Sequence, residues 1–295
     1  MRLFYFSIAF LLLLFANLHL CAQDNNGPVI FHIHSSNTSF PDTDRMKGHL
    51  YDSVMYSANE HYTDSTVLII APKNLSGKKT VDLVFWFHGW NNNVDTAAVR
   101  YELIKQFIAS KRNAVLVLPE TARNSPDSYG GKLENTGVFK ALVADVIQGL
   151  KIKQRISKNS VAGHILLGGH SGAYRVIARI IKNGQIPVDE VMLFDALYGE
   201  TAIFISWIKA DSQHRFIHLF TDHGGTNEES KRMVNLLAKS KVSYLEIEEA
   251  SLKPQQVVSS PIIFIHSLKQ HDDIVNPENF KLMLENEPFL KPLNN

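Results

Sequence analysis

Short, almost unbroken apolar runs recur along the chain, most of them followed by a stretch of helical periodicity. This alternation restricts the fold more than any other feature. The runs are VLIIAP (Val67–Pro72), VDLVFWF (Val81–Phe87), AVLVLP (Ala114–Pro119), HILLGG (His164–Gly169), EVMLFD (Glu190–Asp195), RFIHLFT (Arg215–Thr221), SYLEIE (Ser243–Glu248) and PIIFIHS (Pro261–Ser267). They are short and rich in β-branched and aromatic residues, and so read as strands. Between them lie amphipathic stretches. The first is a helix capped by Asp95 or Thr96, with Val99, Leu103, Ile104, Phe107 and Ile108 on its apolar face. The second carries Phe139, Leu142, Val143, Val146, Ile147 and Leu150 at 3.6-residue spacing. A third, with Val176, Ile177, Ile180 and Ile181, is closed by Gly184 at the position after its end. AIFISWIKA, Asn227 to Lys239 and a last segment near Pro277 to Glu287 complete the set. Strands apolar on both faces need cover on both faces. The alternation therefore predicts an α/β fold: a mostly parallel central sheet with helices on each side. No linker, repeat or low-complexity segment interrupts residues 23–295, which read as one domain.

One strand-to-helix junction is unusual. HILLGG runs into His170, Ser171, Gly172 and Ala173 and then directly into a helical pattern. A strand that turns this abruptly forces the turn residue into a strained conformation, and strand and helix approach closely. Gly169, Gly172 and Ala173 supply the small side chains that such an approach needs. The serine hydroxyl is lifted clear at the carboxyl end of the sheet, where ligands sit in folds of this class, and the following N–H groups point at whatever binds there. A serine hydroxyl is a weak nucleophile alone and needs a base, itself oriented by an acid.

Gly169-His170-Ser171-Gly172-Ala173 resembles the nucleophile elbow G-x-S-x-G of the α/β-hydrolase family, with alanine in place of the last glycine. The strand and helix order resembles that family over nearly the whole length. FHGW carries a second resemblance, in which His88, Gly89 and Trp90 match the family's His-Gly loop. The resemblance implies an oxyanion hole formed by the N–H groups of Trp90 and Gly172, and a Ser–Asp–His order along the chain. FIHSLKQHDDIVNP offers two bases. His266 sits inside an apolar run, as a hydrogen-bonded core histidine does; His271 sits in the polar segment after it, where family members present the base. His271 is preferred. Two aspartates compete for the acid: Asp195 follows the strand after the elbow, and Asp222 follows the next one. Asp195 is preferred, with Asp222 as the alternative.

The remaining features bound the function. Arg2, an apolar run from Leu3 to Leu20 and Ala22 read as a secretory signal peptide over residues 1–22. The alternatives are a membrane anchor, or lipidation at Cys21, which Leu20 disfavours. The net charge of +1 gives no field to draw nucleic acid or an anionic membrane, and no later stretch is long enough to span a bilayer. His32 and His34 share one strand face without an evident third ligand, so no metal is expected. The polar stretch from Thr121 to Gly137 reads equally as a cleft lining and as a surface loop. Trp207 reads as part of a core helix rather than a lid. The sequence thus predicts an exported, cofactor-free serine hydrolase acting on a small-molecule ester, or an amide. The alternatives are an extracellular or envelope serine peptidase, and a catalytically silent binding domain on the same fold.

Overall fold

The computed structural model describes residues 27–76, 79–276 and 278–294; the predicted leader, Cys21 included, lies outside them. The strands are β1 (Val29–His34), β2 (His49–Tyr51), β3 (Val54–Tyr56), β4 (Thr66–Ala71), β5 (Thr80–Phe87), β6 (Ala114–Pro119), β7 (Val161–His170), β8 (Glu190–Phe194), β9 (Arg215–Thr221), β10 (Leu245–Glu248) and β11 (Ile262–Ser267). The helices are α1 (Ala58–His61), α2 (Val94–Arg100), α3 (Leu103–Ala109), α4 (Val138–Ile152), α5 (Tyr174–Asn183), α6 (Thr201–Ala210), α7 (Asn227–Lys239), α8 (Pro254–Ser259) and α9 (Asn279–Glu285).

Nine strands form one sheet in the order β1-β4-β6-β5-β7-β8-β9-β11-β10, while β2 and β3 make a separate hairpin. All pairs from β6 to β10 across the sheet are parallel. β4 runs against both of its neighbours. Its unbroken apolar sequence reports burial on two faces but not direction. Alternate residues of each strand face opposite sides. On β5, Leu83, Phe85 and Phe87 join one core layer, and Val84 and Trp86 join the other. Phe85 meets Phe139 of α4 edge-on at 4.9 Å, and Trp86 meets Phe280 of α9 at 4.9 Å on the opposite side. Each such fully buried aromatic contributes about 1.5–3 kcal/mol through lost water contact. Trp207 of α6 packs within the first layer, as expected of a core helix.

Two local expectations need correction. The single helix expected from Asp95 through Ile108 is broken into α2 and α3 by Glu102, which has φ +47°. Asn93, rather than Asp95 or Thr96, caps the first piece by accepting the Thr96 N–H at 3.0 Å. The break turns Val99 out to solvent. Gly184 ends α5 with φ −67°, and the left-handed residue is its successor Gln185. Gly184 is required for space instead: a Cβ there would lie 2.6 Å from the Ile180 carbonyl oxygen.

The sheet order also locates a cleft. β5 lies between β6 and β7, so the chain leaves β5 to one side and returns from β6 to the other. Loops after β5 and β7 diverge at such a reversal and leave a crevice at the carboxyl ends of the strands. His88-Gly89-Trp90 and Ser171 occupy those two loops.

Candidate active site

Ser171 has φ +55°, a left-handed conformation that a side chain with a Cβ rarely adopts. A single turn over Ser171–Ala173 then leads into α5. The neighbours explain how the turn closes. A Cβ on Gly169 would lie 2.6 Å from the Ala173 Cβ and 2.9 Å from the Phe87 carbonyl oxygen. The methyl of Ala173 thus occupies room that Gly169 leaves, which is why alanine is tolerated where the elbow pattern has glycine. A Cβ on Gly172 would lie 2.5 Å from Cδ1 of Trp90, so the indole lies directly against the elbow. A Cβ on Gly89 would come within 2.7 Å of the Ser171 Cβ. The two loops therefore meet at their glycines.

Asp195 follows β8, is fully buried and has φ +45°. Its Oδ2 lies 2.5 Å from Nδ1 of His271, which opens the short turn after β11. Its Oδ1 accepts from the Thr226 hydroxyl and, at 3.4 Å, from the Thr221 N–H. Burial alone would raise the Asp195 carboxyl, but the hydrogen bonds from His271 and Thr226 outweigh it and hold the group below its ordinary value. His271 thereby has Nδ1 committed to Asp195 and Nε2 as its other ring nitrogen.

His170 supports that histidine from behind. Its Nδ1 accepts from the Tyr101 hydroxyl at 3.0 Å, and its Nε2 donates to the His271 carbonyl at 2.9 Å. The two imidazoles lie tilted with centroids 4.5 Å apart. Burial first, and then the charge of His271, push His170 down to about 4, so it is neutral near pH 7. His170, His271 and Asp272 are close enough to suggest a metal, but both His170 nitrogens are already occupied. Among the described residues no further ligand cluster joins His32 and His34.

Asp222 and His266 stand elsewhere and face each other. His266 Nε2 lies 3.2 Å from Asp222, and Nδ1 lies 2.9 Å from Glu248. Asp222 also accepts from Asn227 at 2.5 Å and is half exposed. The two alternative residues are thus partners of one another, in an open depression that shares no lining residue with the one at Ser171.

Ser171 opens into a cavity of about 320 Å³ lined by Trp90, Ser128, Gly172, Tyr174 and Tyr198, with no charged side chain. Trp90 is 41% exposed, so it is a cleft residue and not a core aromatic. Its indole N–H donates to Ser128 at 2.7 Å, which places the stretch after Thr121 in the cleft wall. Tyr198 donates to the Gly224 carbonyl. Burial and the nearby Asp195 charge both raise its hydroxyl. Gly224 lies so close over the Asp195–His271 pair that any side chain there would displace it. Sequence reasoning missed Gly224, Thr226 and Tyr198, whereas Ser128 lies in the Thr121–Gly137 stretch, one reading of which is a cleft lining. Only the paired glycines after Asp222 were a visible signal, marking a backbone that approaches something closely.

No protein-family model matches the chain, and no curated protein matches it. Solved structures do. A serine-to-alanine variant of the feruloyl esterase module from Clostridium thermocellum, complexed with sinapinate, is similar at 10% identity and TM-score 0.54, covering 92% of each chain. An S-formylglutathione hydrolase from Agrobacterium tumefaciens is similar at 10% identity and TM-score 0.50, covering 90% of this chain and 96% of its own. At these identities the likeness is one of fold.

Proposed function

We propose that this chain, whose fold is the α/β-hydrolase fold, is an exported carboxylic-ester hydrolase working through Ser171, His271 and Asp195. The observation that carries the reading is the 2.5 Å contact between Asp195 and His271, whose ring lies 4.5 Å from that of His170, the residue before a serine held at φ +55°. Ser171 Oγ attacks the ester carbonyl while Nε2 of His271 takes its proton. Asp195 fixes the ring with Nδ1–H toward the carboxylate and stabilises the imidazolium. The N–H groups of Trp90 and Gly172 donate hydrogen bonds to the oxyanion of the tetrahedral intermediate. Each such donor is worth about 3 kcal/mol, because it is aimed at charge that exists only in the transition state. Collapse breaks the bond to the leaving alcohol, which takes the proton from His271. Water repeats the cycle to release the acid and regenerate Ser171.

The feruloyl esterase and S-formylglutathione hydrolase neighbours support an ester or thioester carbonyl as the target. The uncharged, aromatic-lined cavity supports an apolar acyl group. The signal-like residues 1–22 support export. Labelling the purified protein with a fluorophosphonate and mapping the adduct tests the reading. An adduct on Ser171, with hydrolysis of p-nitrophenyl butyrate lost in Ser171→Ala, is the expected result. Folded protein that takes no label and cleaves no ester overturns it.

A further inference from the structure

His88 and Glu120 form a buried pair that the catalytic scheme does not use. Glu120 directly follows β6 and is 1% exposed; His88 directly follows β5 and is 4% exposed. His88 Nε2 lies 2.5 Å from Glu120 Oε1 and 2.9 Å from the Thr121 hydroxyl. Its Nδ1 lies 2.8 Å from the carbonyl oxygen of Gly89. A carbonyl only accepts, so Nδ1 carries hydrogen and donates. The hydrogen between Nε2 and Oε1 makes that contact attractive on whichever atom it sits.

The Gly89 carbonyl and the Trp90 N–H are opposite edges of one planar peptide unit. Fixing the oxygen fixes the direction of the N–H. A hydrogen bond to the oxygen also polarises the amide and strengthens its N–H as a donor. Glu120 braces the same loop a second time, accepting the Val94 N–H at 3.2 Å at the start of α2. Two backbone bonds tie the loop to the segment after Glu120: Asn91 N–H to the Ser125 carbonyl at 3.0 Å, and Asn124 N–H to the Asn92 carbonyl at 2.7 Å.

We infer that Glu120 is a positioning residue that acts through His88 to aim the Trp90 N–H at the oxyanion. The inference rests on the esterase reading. A surface pair could serve stability alone, but this one is buried, and its far end is the peptide that contributes the proposed transition-state donor.

Two substitutions at His88 separate the halves of the relay. In His88→Asn the side-chain amide nitrogen stands where Nδ1 stood and can still donate to Gly89. In His88→Gln the amide nitrogen stands where Nε2 stood and keeps only the link to Glu120. Kinetics on p-nitrophenyl butyrate and the affinity for a trifluoromethyl ketone, which forms an oxyanion on Ser171, are measured for both and for the wild type. Misplacing a donor by about 1 Å costs about 100-fold. His88→Gln is expected to lose about that factor in kcat and in ketone affinity together, with KM within about twofold. His88→Asn is expected to recover about tenfold of it. Equal losses in the two variants, or a loss confined to KM or thermal stability, overturn the inference. If His88→Gln does not fold, Glu120→Gln decides, since it leaves His88 in place: it should lower kcat and ketone affinity in step, and an unchanged kcat overturns the inference. A wild-type protein inert toward the ester removes the esterase reading and this inference together. An active wild type with indifferent His88 variants removes this inference alone.

Discussion

Asp195 Oδ2 lies 2.5 Å from His271 Nδ1, while Asp222 lies 3.2 Å from Nε2 of a different histidine, His266. The two aspartates follow adjacent strands of one sheet, yet only the first is buried and only the first touches His271. Asp195→Asn should therefore lower kcat on p-nitrophenyl butyrate by about 10⁴-fold with folding intact, because the amide favours the wrong tautomer of His271. Asp222→Asn, on a half-exposed side chain, should leave kcat within about threefold. Steady-state kinetics of the two variants, checked by circular dichroism, would show a reversal of roles directly.

The elbow makes a packing prediction. Gly169→Ala places a methyl 2.6 Å from the Ala173 Cβ and 2.9 Å from the Phe87 carbonyl oxygen. Such overpacking costs about 1–3 kcal/mol. Adding Ala173→Gly removes the first clash but not the second, so the double variant should regain part of the loss and not all of it. Urea unfolding of the two single variants and the double gives the coupling. Strict additivity would mean that the two positions do not compete for space.

These relations show what the sequence carried. The strand runs, the elbow and the α4 face at Phe139 through Leu150 were legible because each is a local pattern of burial. The order of Ser171, Asp195 and His271 was legible as a list of candidates; the structure pairs the last two, and Tyr198, which lines the cavity at Ser171, stands 6.3 Å from the His271 ring. The break at Glu102 was not legible, since a left-handed glutamate has no compositional mark. Nor was the reversed direction of β4, which changes neither its burial nor its pattern. Glu120 was invisible for a related reason. A single acid after AVLVLP reads as a solvated strand end until the fold places His88 against it.

Buried titrating groups give stability an acid limb and an alkaline limb. Burial pushes His170 and His218 each down to about 4. Below their unfolded value of about 6.5 the unfolded chain binds protons that the folded chain refuses, so stability is lost as pH falls from about 6.5 to about 4. Asp195, held low, adds to the loss at still lower pH. Glu287 has the opposite sign. Burial, and then the neighbouring Glu190, push it up to about 10, with Arg215 shared between the two carboxylates. The folded chain keeps this proton and the unfolded chain releases it, so stability also falls as pH rises from about 4.5 toward about 10. Thermal midpoints should peak near neutral pH. Glu287→Gln, which holds a neutral group in the same volume, should flatten the alkaline limb and steepen the acid limb above about pH 4.5, where the Glu287 proton opposes the histidines. An unchanged alkaline limb would show that Glu287 does not hold its proton.

Trp90 combines two roles that one substitution can separate. Its backbone N–H is the proposed oxyanion donor, whereas its indole walls the cavity and donates to Ser128 at 2.7 Å. Trp90→Ala keeps the first and removes the second. The cavity is about 320 Å³, near the lower end of the roughly 300–1,000 Å³ usual for small-molecule sites. Space should therefore limit the acyl group more than lost contact with the indole weakens it. The variant should keep kcat on p-nitrophenyl acetate within about fivefold, since the donor is intact and a full loss would cost about 100-fold or more. Its kcat/KM for p-nitrophenyl benzoate, relative to acetate, should rise by about tenfold. A fall in that ratio would mean that the indole grips an aromatic acyl group rather than excluding it. A collapse of acetate turnover would mean that the side chain, and not only the His88–Glu120 pair, holds the Gly89–Trp90 peptide in place.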